Sequence, residues 1–191
     1  MTSYQIKPDQ LKFSEHLTYL SMRFLSFLFG NLPRKLTLFL GKLLGIIIQH
    51  SLDIRKAVAY KNIKIAFPDS TSEYYNQILK NTYKHYGIMV IEFLRMPYLT
   101  QNSFRRIVQF ENDTLKLLKS NQNGIIVTAH FGNWEMIQAA LNLNGIKLTS
   151  VAQTQKNKGA NKFITWARNK TKTPIIFKNV SIKSMFRSLE T

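Results

Sequence analysis

The stretch Gly124-Ile-Ile-Val-Thr-Ala-His-Phe-Gly-Asn-Trp-Glu-Met136 decides how the chain reads. Its first six residues are rich in β-branched side chains, the texture of a short strand. Gly132 and Asn133 are residues of turns and helix N-caps, and a helical segment is expected from Trp134 to Leu143. Strand, turn and helix in that order open a βαβ unit.

Moving toward the C-terminus, Lys147-Leu-Thr-Ser-Val-Ala152 and Thr173-Pro-Ile-Ile-Phe177 read as two further strands, with a helix from Gly159 to Asn169 between them. Strands alternating with short helices imply parallel pairing through right-handed crossovers. The expected fold class is therefore α/β: a helical, membrane-facing N-terminal half followed by βαβ units of a parallel-containing sheet over residues 124–178. Residues 1–191 read as one domain.

Toward the N-terminus the texture is helical. Two apolar runs, Leu17 to Gly30 and Leu36 to Gln49, are separated by Asn31-Leu-Pro-Arg34. Each falls short of the roughly 20 apolar residues that a spanning helix needs, and Pro33 with Arg34 and Lys35 interrupts any join. Residues 11–50 are expected to form interfacial helices, with Arg23, Lys35 and Lys42 reaching to phosphates while Phe24, Phe27 and Phe29 enter the acyl boundary. The same runs also fit two ordinary core helices. Mostly polar residues before the first run, Asp9 and Glu15 among them, and the lack of a small-residue cleavage pattern after Gly30 argue against a signal peptide and for a cytoplasmic orientation.

A basic helix follows from Ile54 to Phe67, ending at Pro68. Asp69-Ser-Thr-Ser-Glu73 then offers a cap-like start with Glu73 three residues after Ser70. The next helix, Ser72 to Arg95, carries Tyr75, Ile78, Leu79, Tyr83, Tyr86, Met89, Val90 and Phe93 at helical spacing and stops before Pro97; a polar stretch around Asn112 to Asn123 leads into the second half.

Composition narrows the chemistry. An apolar content of 45% argues against disorder. The lack of cysteine removes disulfides, thiolate metal sites and cysteine nucleophiles together. The net charge of +17, from 27 Lys and Arg against 10 Asp and Glu, attracts phosphates on nucleic acid or anionic lipid, or an acidic carrier protein. Ten of these basic residues follow Glu135, against the single acid Glu190, so about half of the net charge lies beyond it. His16, His50, His85 and His130 are too scattered to suggest a metal, and no Gly-rich phosphate loop occurs, so neither metal nor cofactor is expected.

His130 precedes Glu135 by five positions. On one helix, five steps of about 100° would leave the two side chains roughly 140° apart. They can meet only if His130 lies in the strand-to-helix turn, at the carboxyl end of a parallel strand where α/β folds open their crevice. There a neutral imidazole can take a proton from a hydroxyl while a carboxylate on its other nitrogen fixes the tautomer. The hydroxyl could then attack an acyl thioester directly, with backbone or basic groups stabilising the oxyanion. By spacing alone, a structural His beside an unrelated helix-start Glu is the plainer reading.

The neighbours change that balance. Ala129-His-Phe-Gly-Asn-Trp-Glu135 closely resembles the active-site block of the lipid A biosynthesis (Kdo-lipid lauroyl/myristoyl) acyltransferase family, within the His-x4-Asp/Glu lysophospholipid acyltransferase superfamily. Asn62-Ile-Lys-Ile-Ala-Phe-Pro68 and Tyr86-Gly-Ile-Met-Val-Ile-Glu-Phe-Leu-Arg95 match upstream blocks of that family in order and spacing. The resemblance implies that His130 is the general base and Glu135 the acid that orients it. It implies acceptor binding by Phe131, Gly132, Asn133, Gln153, Thr154 and Arg168, with phosphate or oxyanion contact as the work of Arg168.

The implied partners are an acyl-carrier-protein thioester as donor, a Kdo-bearing glycolipid as acceptor and an anionic membrane surface, without nucleic acid. The implied place is the cytoplasmic face of a bacterial inner membrane, held monotopically or peripherally. Family members continue by about another third, including an Asp-Gln segment that nothing here matches, and Ser181 to Thr191 reads as the start of a helix. A truncated, split or incompletely sequenced member is expected on that ground. Two other readings stand beside the enzyme: an inactive membrane-bound fragment of the same fold, and a basic nucleic-acid-binding domain built on lysines interleaved with aromatics.

Overall fold

The computed structural model describes residues 11–52, 54–120, 124–178 and Phe186. The described chain is mostly helical with one small sheet: α1 (Phe13–Asn31), α2 (Arg34–Ser51), α3 (Lys56–Ala66), α4 (Ser72–Arg95), a 3₁₀ turn (Met96–Tyr98), α5 (Gln101–Ile107), α6 (Thr114–Ser120), α7 (Trp134–Leu143), β1 (Ser150–Ala152), α8 (Lys158–Lys170) and β2 (Ile175–Phe177). β1 and β2 pair in parallel, Val151 opposite Ile176, with α8 as the crossover. This arrangement is compatible with the α/β class. The helix expected from Ser181 to Thr191 lies outside the described residues, apart from Phe186.

Helix α4 is the spine. Tyr75, Leu79, Tyr83, Gly87, Ile91 and Leu94 are buried along one stripe at the four- and three-residue spacing of a helix face. Its N-cap is Thr71, whose hydroxyl accepts from the Tyr74 N–H at 3.3 Å, one residue beyond the expected Ser70. Tyr75 and Tyr83 donate their hydroxyls to the Phe67 and Ile54 carbonyls, tying both ends of α3 to the spine.

On the other side α2 crosses α4 through glycine. Thr37, Gly41 and Gly45 are the buried residues of α2, and a methyl group on Gly41 would sit 2.6 Å from the Ile88 Cα. Gly45 and Gly87 are as tightly confined, each by backbone atoms of the other helix. Small residues four apart let two helix backbones touch.

Helix α1 is held by polar contacts with the end of α4. The Ser26 hydroxyl donates to the Leu94 carbonyl at 2.5 Å, and the Arg95 guanidinium donates to the carbonyls of Phe29 and Leu32. Burial pulls the Arg95 pKa below the ordinary arginine value; the neighbouring Arg34 charge adds to this and Glu92 opposes it. Arg34 itself pairs with Glu92 at 3.0 Å. The Gly159 Cα packs on the backbone of Glu15, bringing α8 against α1.

Several expectations need correction. The run Gly124 to Ala129 forms no ladder: it is exposed, with Ile125 at 82% and Val127 at 91% of full accessibility. Its β-branched residues favour an extended backbone, but no neighbouring strand among the described residues offers the hydrogen bonds that would bury it. The second and third strands shrink to three residues each at their C-terminal ends. Two short helices, α5 and α6, occupy segments without a strong sequence signal; α6 lies inside the expected polar linker.

Arg23 does not reach outward. Its guanidinium lies 3.9 Å from the Trp166 ring centroid and donates to the Tyr19 hydroxyl. Phe29 packs inward against Leu94 and Phe163. Phe24 and Phe27 do stand exposed, and with Leu17 and Leu20 they form an apolar stripe along α1; Leu36, Phe39, Leu43 and Ile47 form another along α2. Among the described residues no single helix is long and apolar enough to cross a membrane.

Candidate active site

The turn between the extended segment and α7 is built by local chemistry. The Phe131 N–H donates back to the Ala129 carbonyl at 2.8 Å, and Gly132 takes φ +62°, where a side chain would be strained. Asn133 is the N-cap of α7, its side-chain oxygen accepting from the Met136 N–H at 3.2 Å. His130 therefore sits in the turn between the extended segment and α7, outside the helix that carries Glu135.

The His130 imidazole leans on the Trp134 ring, centroids 4.4 Å apart and planes tilted by 49°. Both line a cavity of about 250 Å³ with Phe131, Gly132, His85 and Tyr86. The far wall comes from α4, and this part of the site was not read from the sequence. Tyr86, placed there on the apolar stripe of the helix, is instead 47% exposed and faces this cavity. The signal that could have found it is Gly87: a glycine inside a long helix marks the side that a neighbouring backbone touches, and so the side that stays open.

Glu135, in the first turn of α7, is held by Arg168 near the end of α8. Arg168 Nε donates to Oε2 at 3.0 Å and a second guanidinium nitrogen donates to Oε1, a forked pair. Both side chains are largely buried, at 13% and 15% exposure. Arg168 is fixed in turn through its own carbonyl, which accepts from the Thr173 N–H and from the hydroxyls of Thr171 and Thr173.

The structure thus brings His130, Phe131 and Gly132 to one cavity, with Asn133 capping the adjacent helix and Glu135 joined to Arg168. Among the described residues no hydrogen bond connects His130 with Glu135. Gln153 and Thr154 are exposed in the loop after β1 and are not among the residues that line this cavity. The Asn133 amide nitrogen is buried without a partner among the described residues. No group of three His, Cys, Asp or Glu residues among them could hold a metal ion.

What this arrangement can do is move a proton. An imidazole at the edge of an aromatic-lined cavity can accept one from a hydroxyl placed there, and the carboxylate five residues on in sequence is fixed by a guanidinium. No curated protein and no solved structure matches the chain. The family model described as bacterial lipid A biosynthesis acyltransferase matches residues 4–191, nearly the whole sequence, and the chain belongs to that family.

Proposed function

We propose that this chain transfers a fatty acyl group from an acyl-carrier-protein thioester to a hydroxyl of a lipid A precursor, with His130 as general base and Glu135 as the acid that orients it. The observation that carries the reading is that, in a chain of this acyltransferase family, the His130 turn lines a cavity together with Trp134, whose neighbour in sequence, Glu135, is held by Arg168. In the reaction His130 takes the acceptor hydroxyl proton as oxygen bonds to the thioester carbonyl carbon. The tetrahedral oxyanion collapses, the carbon–sulfur bond breaks, and the proton passes from the imidazolium to the leaving thiolate. Arg168 keeps the Glu135 carboxylate in place. Phe131, Gly132, Asn133, Gln153 and Thr154 serve the acceptor.

The reaction is proposed to run at the cytoplasmic face of a bacterial inner membrane. The exposed apolar stripes of α1 and α2 support this, flanked by the exposed Lys35 and Lys42. Apolar area of that kind, rimmed by amines, suits an anionic lipid interface.

The test is transfer of labelled acyl chains from acyl-carrier protein to a Kdo-bearing lipid A precursor in membranes expressing the chain, with His130→Ala and Glu135→Ala in parallel. Transfer that disappears in both variants is the expected result. Transfer retained in His130→Ala overturns the assignment. A second reading, a membrane-bound protein of this family without turnover, is favoured by the exposed, unpaired Gly124–Ala129 segment that carries His130. A folded, membrane-bound wild type that transfers nothing supports it.

A further inference from the structure

The cavity in front of His130 has a second imidazole in its wall. His85 and Tyr86 lie side by side on α4, outside its buried stripe, and both line the space that His130 and Trp134 bound from the other side. Their orientation is set by the neighbouring residue. Gly87 is pressed against the Gly41 and Gly45 backbone of α2, which fixes the rotation of α4 about its axis. His85 is two residues back, about 200° round the helix, and Tyr86 about 100°. The glycine crossing therefore turns both side chains away from α2 and toward the His130 turn.

Neither side chain is used by the scaffold. His85 makes an edge contact with the Tyr86 ring, centroids 6.4 Å apart, and neither side chain hydrogen-bonds another described residue. Of the other tyrosines on α4, Tyr75 and Tyr83 are buried and donate to backbone carbonyls, and the exposed Tyr74 packs edge-on against the Phe67 ring; the His85–Tyr86 pair instead faces a cavity and is left for a ligand.

Resting on the acyl-transfer reading, we propose that His85 and Tyr86 position the acceptor. His85 hydrogen-bonds a polar atom of the acceptor next to the reacting hydroxyl, and the Tyr86 ring packs on its apolar or sugar face. The acceptor rather than the donor is assigned here because a hydroxyl that gives its proton to His130 must lie within hydrogen-bond reach of that imidazole. A cavity of about 250 Å³ then leaves the far wall in contact with the groups next to the hydroxyl. His85 touches no reacting atom in this scheme, so its loss weakens acceptor binding and leaves the chemical step intact.

The experiment varies acceptor concentration at saturating acyl-carrier-protein thioester for wild type, His85→Ala, His85→Gln, Tyr86→Phe and Tyr86→Ala, with Lys80→Ala, exposed on the same helix, as control. Loss of one hydrogen bond to the acceptor raises its KM roughly tenfold in His85→Ala, with kcat within about twofold of wild type. His85→Gln, which keeps a donor, recovers most of the loss. Tyr86→Phe behaves as wild type and Tyr86→Ala does not.

A binding arm without donor follows quenching of the Trp134 emission by the Kdo-bearing precursor in detergent, taken as the part of the signal absent from Trp134→Phe. The acceptor Kd is expected to rise in His85→Ala by the same factor as KM. Unchanged acceptor KM and Kd in His85→Ala, a loss confined to kcat, or a wild-type Trp134 that does not respond to acceptor overturns the proposal. The reading on which this rests fails on different results: turnover that survives His130→Ala removes the base assignment, and a folded wild type that transfers nothing removes the acyl-transfer reading, each while His85→Ala still shifts the acceptor Kd.

Discussion

Replacing Arg168 with methionine removes the guanidinium and keeps most of the side chain's apolar length, leaving the Glu135 carboxylate in its pocket without its two donors. Breaking a fully buried ion pair at one partner costs about 3–5 kcal/mol, because the remaining charge is stranded. Here the two side chains keep 15% and 13% of their exposure. Residual solvation lowers the expectation to about 2–4 kcal/mol of unfolding free energy. Glu135→Gln retains an acceptor oxygen for Arg168 and is expected to lose less. The double variant, with no stranded charge, recovers part of the single-variant loss, so a double-mutant cycle gives a clear coupling term.

Urea unfolding followed by tryptophan emission suits the measurement, since Trp134 adjoins Glu135 in sequence and Trp166 lies on the same helix as Arg168. The same proteins should lose acyl transfer, because Glu135 loses the anchor that fixes its carboxylate. A loss below about 1 kcal/mol in Arg168→Met, the behaviour of an exposed pair, or singles that simply add in the double variant, would refute the claim that the two residues act as one unit.

At the α2–α4 crossing, Gly87→Ala puts a methyl group into backbone atoms of Gly41 and Gly45; overpacking of this kind costs about 1–3 kcal/mol, and an unchanged urea midpoint would show that the helices can separate freely. Asn133→Ala removes the cap of α7 and is expected to cost about 1 kcal/mol, read in the same unfolding curves, with Asn133→Asp retaining most of it. Phe24→Ser combined with Phe39→Ser removes two exposed rings from the apolar stripes; at about 1.5–3 kcal/mol per buried ring, flotation with anionic vesicles should fall more than tenfold, and undiminished flotation would separate the stripes from any lipid surface. The Glu73 carboxyl is held below the usual range by its own backbone hydrogen bond first and by the Thr71 and Ser72 hydroxyls next. Its stabilising contribution is therefore present above the unfolded-state carboxyl pKa and is lost as pH falls through the lower folded value, so the difference between wild type and Glu73→Gln in acid unfolding should shrink over that window.

The elements legible in the sequence are those whose signals are local. Ser72 to Arg95 and Trp134 to Leu143 form the helices that their periodicity predicts, because a buried stripe, an N-terminal cap and a downstream Pro97 act within a few residues of each other. Gly132 and Asn133 adopt the turn and cap conformations for the same reason. What the sequence hides depends on contacts far along the chain. Glu135 meets Arg168 across thirty-three residues, and no spacing rule within α7 or α8 announces that pairing. Tyr86 fits the apolar stripe by composition, and only the close approach of α2 to Gly87 turns it outward. The strand at Gly124 to Ala129 fails for a related reason: β-branched residues favour extension, but a strand exists only when a neighbour completes its ladder.

That missing ladder bears on how His130 is aimed. In an α/β crevice the sheet usually fixes the residue at the strand's end, yet here the segment before His130 has no described strand beside it. The imidazole depends instead on its C-terminal neighbours: the Phe131-to-Ala129 hydrogen bond, the left-handed Gly132, the Asn133 cap and the Trp134 ring. All four are attached to α7. Helix α7 is in turn fixed by burial of Met136, Ala139 and Ala140 against Met96 and Phe104, and by the Glu135–Arg168 pair. His130 is thus oriented from its C-terminal side, and any ligand or segment that pairs with Gly124 to Ala129 would act on the proposed base directly, by bracing the one flank of His130 that the described fold leaves open.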